Sequence, residues 1–356
     1  MGLIPDILTV TNDLPMKSYE AKGLFADILP LIEKDPELDT ANLMPNVVAA
    51  YSQDGRLYRL VPQFNIGTVF AKTSLVGSEP GWTLNTAHNV LSGMPQDAKL
   101  FDMVTRSVIL KNALIYSGNQ FVDWEAGECH FDDDAFIHLL EFLKEFPEEI
   151  DYNADNQSPD SDFRENRVLA IMGQIGNLRD YNRLSKGMFG EEITMIGFPS
   201  DNGMGAAINT MQSFALSSKS KNIEGAWEFL RFYLTDEYQE SPNSVYMLPI
   251  SRKAFDQKAK EATEKAYYLD ENNNKVEFDD IYYLDGQEIT LSLMSQAELD
   301  KLVSYIMAVD TVGEYNEIIA NIIDEEAAPY FAGQKSVLDA AEIIQSRVHI
   351  YVNELQ

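Results

Sequence analysis

The chain of 356 residues has one cysteine, four histidines, and 27 Lys+Arg against 57 Asp+Glu. A single thiol, Cys129, excludes an internal disulfide and any metal site built from cysteines. The formal net charge of −30 leaves no basic face for phosphates. Nucleic acid is therefore excluded as a partner, and an anionic membrane surface is disfavoured. No apolar run approaches the length of a bilayer span. What the chain does have is core material: 45% hydrophobic and 11% aromatic residues, well outside the disordered range and enough for two domains.

Catalytic signatures are also missing. There is no Gly-x-Ser-x-Gly elbow, no His-Glu-x-x-His and no phosphate-cradling Gly-x-x-x-x-Gly-Lys-Ser/Thr. Gly203-Met204-Gly205 lacks a third glycine and a preceding long strand, so it reads as a loop. The histidines lie in separate segments, and His130 and His138, the nearest pair, read as solvated. With 57 acids, carboxylate pairs arise by chance, and Asp324-Glu325-Glu326 reads as a solvated helix turn. Asp151, Asn153, Asp155, Gln157 and Asp162 alternate like a calcium loop. Asn156 stands where such loops need glycine, and Asp162 where they need glutamate, so a solvent loop is expected. Cys129, between Glu128 and His130, reads as an incidental surface thiol.

The periodicity is mixed α/β. Ile7 to Val10 predicts a buried strand, Gln53-Asp54-Gly55-Arg56 a hairpin turn, and Val61 to Phe70 an extended segment in which Gly67 supplies backbone freedom. Thr83 is the expected N-cap of one helix, and Phe101–Tyr116 is a second. A third spans Phe131–Phe146, with Phe136, Leu139, Leu140 and Leu143 on one stripe. Strands are expected at Val168–Met172 and Ile193–Phe198, then at Phe214–Leu216. Helices follow from Asn222 to Leu234 and from Ser336 to Asn353, the latter opened by an approximate capping box of Ser336 and Asp339.

Several stretches, taken in order, carry a resemblance. Pro5-Asp6-Ile7-Leu8 leads to Gly23-Leu24-Phe25-Ala26-Asp27-Ile28, and Asp54-Gly55-Arg56-Leu57-Tyr58 leads to Phe70-Ala71-Lys72-Thr73. Gly81-Trp82-Thr83, Gly225-Ala226-Trp227-Glu228-Phe229-Leu230 and Leu248-Pro249-Ile250 follow, with the tail from Tyr330-Phe331-Ala332-Gly333 to Arg347. Across essentially the whole chain this resembles the extracellular solute-binding proteins, family 1, of bacterial ABC transporters, the maltose-binding-protein-like group. The tail and Gly127-x-Cys129-x-Phe131 resemble versions from Gram-positive bacteria.

The resemblance implies an α/β fold of the type II periplasmic-binding-protein class, with two lobes joined by hinge strands and closing on a ligand. It places 1–66 plus 208–253 in a first lobe and 67–207 plus 254–356 in a second. It implies a carbohydrate ligand held without catalysis, no cofactor or metal, a monomer, permease subunits as partners, and an extracellular lipoprotein. The family begins with a signal peptide and a strand-helix-strand unit before the counterpart of Pro5, so an N-terminally truncated chain with an incomplete first lobe is expected. By position, Asn12 and Asp13 match ligand contacts after the first strand, and Phe64 and Asn65 match the strand facing the cleft. Gln174 and Asn177 match a segment where relatives present tryptophan and this chain has Ile175. Asn209, Met211 and Gln212 come from a further loop, and Tyr246 and Trp124 are aromatic candidates. Trp82 and Trp227 are expected in the core. The other functions that fit the sequence are a secreted carbohydrate-active hydrolase using two cleft carboxylates and, resting only on Asp151–Asp162, a calcium-dependent adhesion module.

Overall fold

A computed structural model describes residues 5–10, 16–124, 126–151, 159–200, 205–241, 243–272 and 274–355. The organising element is one strand, β4 (Gln63–Lys72). Before it come β1 (Ile7–Val10) and the hairpin of β2 (Ser52–Gln53) and β3 (Arg56–Leu57). That hairpin turns through Asp54 and Gly55, both at positive φ, as its Asp-Gly pair predicts. β4 is buried at every position. Its two faces serve two different cores: Phe64, Ile66 and Phe70 enter one apolar cluster, Val69 and Ala71 the other. The period of two in side-chain direction thus makes a single strand the partition between them.

β5 (Val122–Asp123) and β6 (Glu128–Cys129) form a short hairpin whose Val122 and Cys129 join the cluster of Val69 and Ala71. β7 (Ala170–Ile175), β8 (Ile193–Met195) and β9 (Ala207–Asn209) all pair antiparallel with β4, where their buried residues complete its ladder. β10 (Ser213–Leu216) pairs with β1, and β11 (Leu248–Pro249) with the start of β4. β12 (Ala266–Leu269) with β13 (Lys275–Phe278), and β14 (Ile281–Leu284) with β15 (Gln287–Thr290), are two further hairpins that the sequence reading did not anticipate.

The helices start where their caps predict. Thr83 Oγ1 accepts from the Thr86 amide, Asn222 Oδ1 from that of Gly225 and Ser336 Oγ from that of Asp339. The expected helices are present over Arg106–Ser117, Asp134–Leu143, Ile223–Arg231 and Val337–Leu355. Trp82 and Trp227 are buried, as expected.

The first cluster gathers Ile28, Val47, Leu60 and Trp227 with Phe255, Leu299, Leu302 and Ile306. The second gathers Ile109, Leu114, Phe121, Phe131, Phe136 and Leu140 with Ile319, Ile323, Ile344 and Val348. The stretch after residue 254 therefore divides between them. The helices Arg252–Ala262 and Gln296–Ala308 feed the first, while Glu317–Phe331 and Val337–Leu355 feed the second. Asn46 fastens the first group by donating to the carbonyls of Ile306 and Val309, both at 2.9 Å.

Cys129 is not on the surface. Alternation along β6 exposes Glu128 and buries the thiol, and burial pushes its pKa up to about 11. Gly67 likewise has a different role from the one expected. Its φ is not positive; instead, a Cβ there would lie 2.6 Å from Asn209 Nδ2 and 2.7 Å from Tyr116 Cε1. The glycine is required for close approach, not for backbone freedom.

Candidate functional site

A cavity of about 1140 Å³ opens between the two bodies. Its floor is made where the chain crosses between them. Asn209, Thr210 and Met211 leave β9, and residues 310–315 run alongside. A parallel bridge joins Ile208 to Val312, with the Ile208 amide donating to Thr311 O (2.8 Å) and the Gly313 amide to Ile208 O (2.9 Å). Asn209 is wedged against Gly67 on one side and Gly313 on the other, so its amide sits at the junction and also on the cleft lining.

One wall comes from the N-terminal part of the chain: Thr9, Val10, Met16, Ala50, Tyr51 and Arg59. Arg59 is nearly enclosed; its guanidinium contacts Glu314 at 2.7 Å and Glu20 at 3.6 Å and lies 5.6 Å from the Tyr51 ring centre. This ion pair ties the first wall to the floor.

The opposite wall carries the aromatic residues Trp124, Tyr315 and Tyr351, with Leu114, Val122 and Ile318. Asn316 Nδ2 donates to Tyr351 Oη at 3.2 Å, which fixes the last helix against the start of the helix Glu317–Phe331. Lys111 Nζ lies 5.0 Å from the centre of the Tyr315 ring. Burial, then the carboxylates of Asp324 and Glu317, push the Tyr315 phenol up, so at neutral pH it is a hydroxyl able to donate.

Of the residues expected to touch ligand, Asn209 lines this cavity, as do Met211 and Trp124. Asn12 and Asp13 lie outside the described residues. Phe64 is fully buried in the first core, and Asn65, also buried, donates to Met247 Sδ (3.4 Å) and accepts from Asn209 (3.5 Å). Gln174 is exposed on β7 opposite Gly67, and Asn177 caps a short helix by accepting from the Arg179 amide. Gln212 is half-buried, its amide donating to Thr210 Oγ1 (3.2 Å). Tyr246 is exposed, its amide donating to Gln63 Oε1 (2.9 Å). These six lie away from the cavity lining. Among the lining residues that the sequence did not mark are those of 310–318, a stretch that leads into the helix Glu317–Phe331 and carries no motif of its own.

Among the described residues, no three His, Cys, Asp or Glu side chains gather as a metal site, and no helix is long and apolar enough to cross a membrane. Of the calcium-like loop, 152–158 lie outside the described residues, and Asp162 is buried, held by Arg167 (2.6 Å).

The two-bodied architecture has many solved counterparts. MalE, a sugar-binding protein of Xanthomonas citri, superposes with a TM-score of 0.60 at 14% identity, covering 99% of this chain and 84% of its own. An ABC substrate-binding protein of Listeria monocytogenes in complex with cycloalternan gives 0.55 at 14%, covering 98% and 85%. An ABC transporter solute-binding protein of Thermotoga lettingae TMO bound with α-D-tagatose gives 0.53 at 12%, covering 99% and 85%. The fold is accordingly that of the type II periplasmic-binding proteins. No curated protein matches the sequence. The family profile described as bacterial extracellular solute-binding protein matches residues 2–267, well over half of the chain. With that match and the cleft between its two bodies, the chain belongs to the bacterial extracellular solute-binding proteins.

Proposed function

We propose that the chain is the receptor of an ABC importer, taking a carbohydrate into the cleft and passing it unchanged to permease subunits. The observation that carries this reading is the composition of the cavity. Saccharides present apolar ring faces and rims of hydroxyls. The cavity offers aromatic rings (Trp124, Tyr315, Tyr351) on one wall and planar amides (Asn209, Asn316, Asn321) that both donate and accept. Its volume, about 1140 Å³, lies above the usual range of small-molecule pockets and suits an oligosaccharide better than a single sugar. The ligands of the structural neighbours, cycloalternan and α-D-tagatose among them, belong to the same class.

Asn209, Met211 and Trp124 are the sequence-derived contacts that this reading keeps in first place. Asn12 and Asp13 are held as contacts from the first strand. Phe64, Asn65, Gln174, Asn177, Gln212 and Tyr246 would act on the cleft only through its closure. A monomeric receptor, tethered as a lipoprotein on a Gram-positive cell, completes the reading and rests on the resemblance of the sequence alone.

The test is a thermal-shift screen over neutral, amino and acidic saccharides of one to six units, with small-angle scattering on every hit. A ligand at 100 times its dissociation constant stabilises by about 2.7 kcal/mol and should compact the chain. A saccharide recovered as shorter products, or a panel with no hit, contradicts the reading.

A further inference from the structure

The charges on the cavity lining are strongly one-sided. Asp310, Glu314 and Glu317 face it, and among the described residues Arg59 is the one cation that lines it. That cation is already engaged, by Glu314 at 2.7 Å and Glu20 at 3.6 Å, and its guanidinium lies over Tyr51. Lys111 stands beside the Tyr315 ring but does not line the cavity.

The other feature that could welcome an anion is the N-terminus of the helix Glu317–Phe331, which opens at the cleft. It is already compensated. Asn316 Oδ1 accepts from the Ile319 amide (3.0 Å), and Glu317 places a carboxylate on the first turn. Among the described residues, an incoming anionic group would therefore meet carboxylates without a free cation or a free helix end on the cavity lining. Like-charge juxtaposition inside a partly closed site is costly.

Resting on the reading of this cleft as a saccharide site, we infer that it selects by charge. It takes oligosaccharides without anionic groups, favours those bearing amines, and rejects those bearing uronates or phosphates. Asp310 and Glu317 are the specificity-determining residues, because Glu314 is satisfied by Arg59. An ammonium at the cleft would give those two exposed carboxylates a counter-cation, whereas a hydroxyl there would simply hydrogen-bond.

The test uses the full chain and tetrasaccharide series of α-1,4- and β-1,4-linked gluco configuration. Each series contains the neutral tetramer, its 2-amino form and its C6-carboxylate form, so members differ mainly in charge. Calorimetry is expected to rank amine above neutral above carboxylate, with at least a tenfold step between the ends that shrinks at high salt. The double variant D310N/E317Q should shrink the step similarly. The control E277Q/E288Q, on the remote hairpins, should leave it intact. Equal binding across a series, or preference for the carboxylate form, overturns the charge selection and leaves saccharide binding standing. A step that narrows equally in the control assigns the effect to the net charge of the whole molecule and overturns the role of Asp310 and Glu317. Absence of any hit in the wider screen of saccharides removes the underlying reading, and this inference with it.

Discussion

The two walls of the cleft are built to different standards. Behind Trp124 and Tyr315 stands a dense aromatic group, in which Phe136 packs edge-on against Phe121 at 5.3 Å and Phe131 at 4.9 Å. Behind Thr9 and Val10 stands a two-stranded ladder, β1 with β10, over a small cluster of Met16, Phe25, Tyr58 and Ala215. Few buried apolar contacts mean low local stability. The aromatic wall is thus the more firmly supported of the two, and the β1 part of the opposite wall rests on the fewest buried apolar residues.

The largest expected effect that would break this comparison is in the aromatic group. Phe136→Ala should cost about 3–5 kcal/mol by denaturant unfolding, because the surrounding rings cannot collapse into the gap. Phe25→Ala in the small cluster should cost measurably less. Equal losses would mean that the two walls are equally well supported.

Next comes the strand shared by both bodies. Gly67→Ala puts a methyl within 3 Å of Asn209 and Tyr116, and should destabilise by about 1–3 kcal/mol while weakening ligand binding. Adding Asn209→Ala should recover part of the stability, which a double-mutant cycle would read as coupling. Additive losses would separate Gly67 from the junction. In the same range, Thr68→Val removes the buried 2.5 Å bond to Tyr305 Oη and should cost about 1–3 kcal/mol.

A smaller effect distinguishes the bodies by pH. Asp35, in the first, is bonded by Arg231 at 2.5 and 2.9 Å, and this hydrogen bonding holds its carboxyl below the usual range. The stabilisation is full above the unfolded-state value of about 3.9 and fades as pH falls through the folded value. Burial pushes Asp324, in the second body, the other way, so ionising it is unfavourable in the fold and acidification gains stability there. Below about pH 4, Asp35→Asn should therefore flatten the acid loss; above about pH 4, where the folded chain protonates Asp324 before the unfolded chain does, Asp324→Asn should remove the opposing gain, both read in urea titrations followed against pH. Amide exchange offers the mildest check: β1 and β10 should exchange before β4.

Much of the scaffold was legible in the sequence because its signals are local. Caps at Thr83 and Asn222, the Asp54-Gly55 turn and the helix stripes depend on neighbours in the chain, and they appear where those neighbours predict. The site was less legible because it is assembled across long separations. Tyr315 and Glu317 become cleft residues only when Val312 bridges to Ile208, and no short motif announces that pairing. Asn209 was found by position in the family, and its second role, filling the space above Gly67 and Gly313, depends on two distant glycines. Cys129 was misplaced because charged neighbours suggest a surface, whereas alternation in a two-residue strand hides one side chain between them. The hairpins of 266–290 escaped because runs such as Tyr267-Tyr268-Leu269 show no alternation of apolar with polar residues.

On the proposed function, the aromatic wall holds the saccharide. Calorimetric titration of the tightest saccharide from the screen into Trp124→Ala, beside the unaltered chain, tests it most directly. A loss of at least tenfold in affinity, about 1.4 kcal/mol, with the unfolding transition of the free protein little changed, is the predicted result. Unchanged affinity would place the ligand elsewhere and contradict the account.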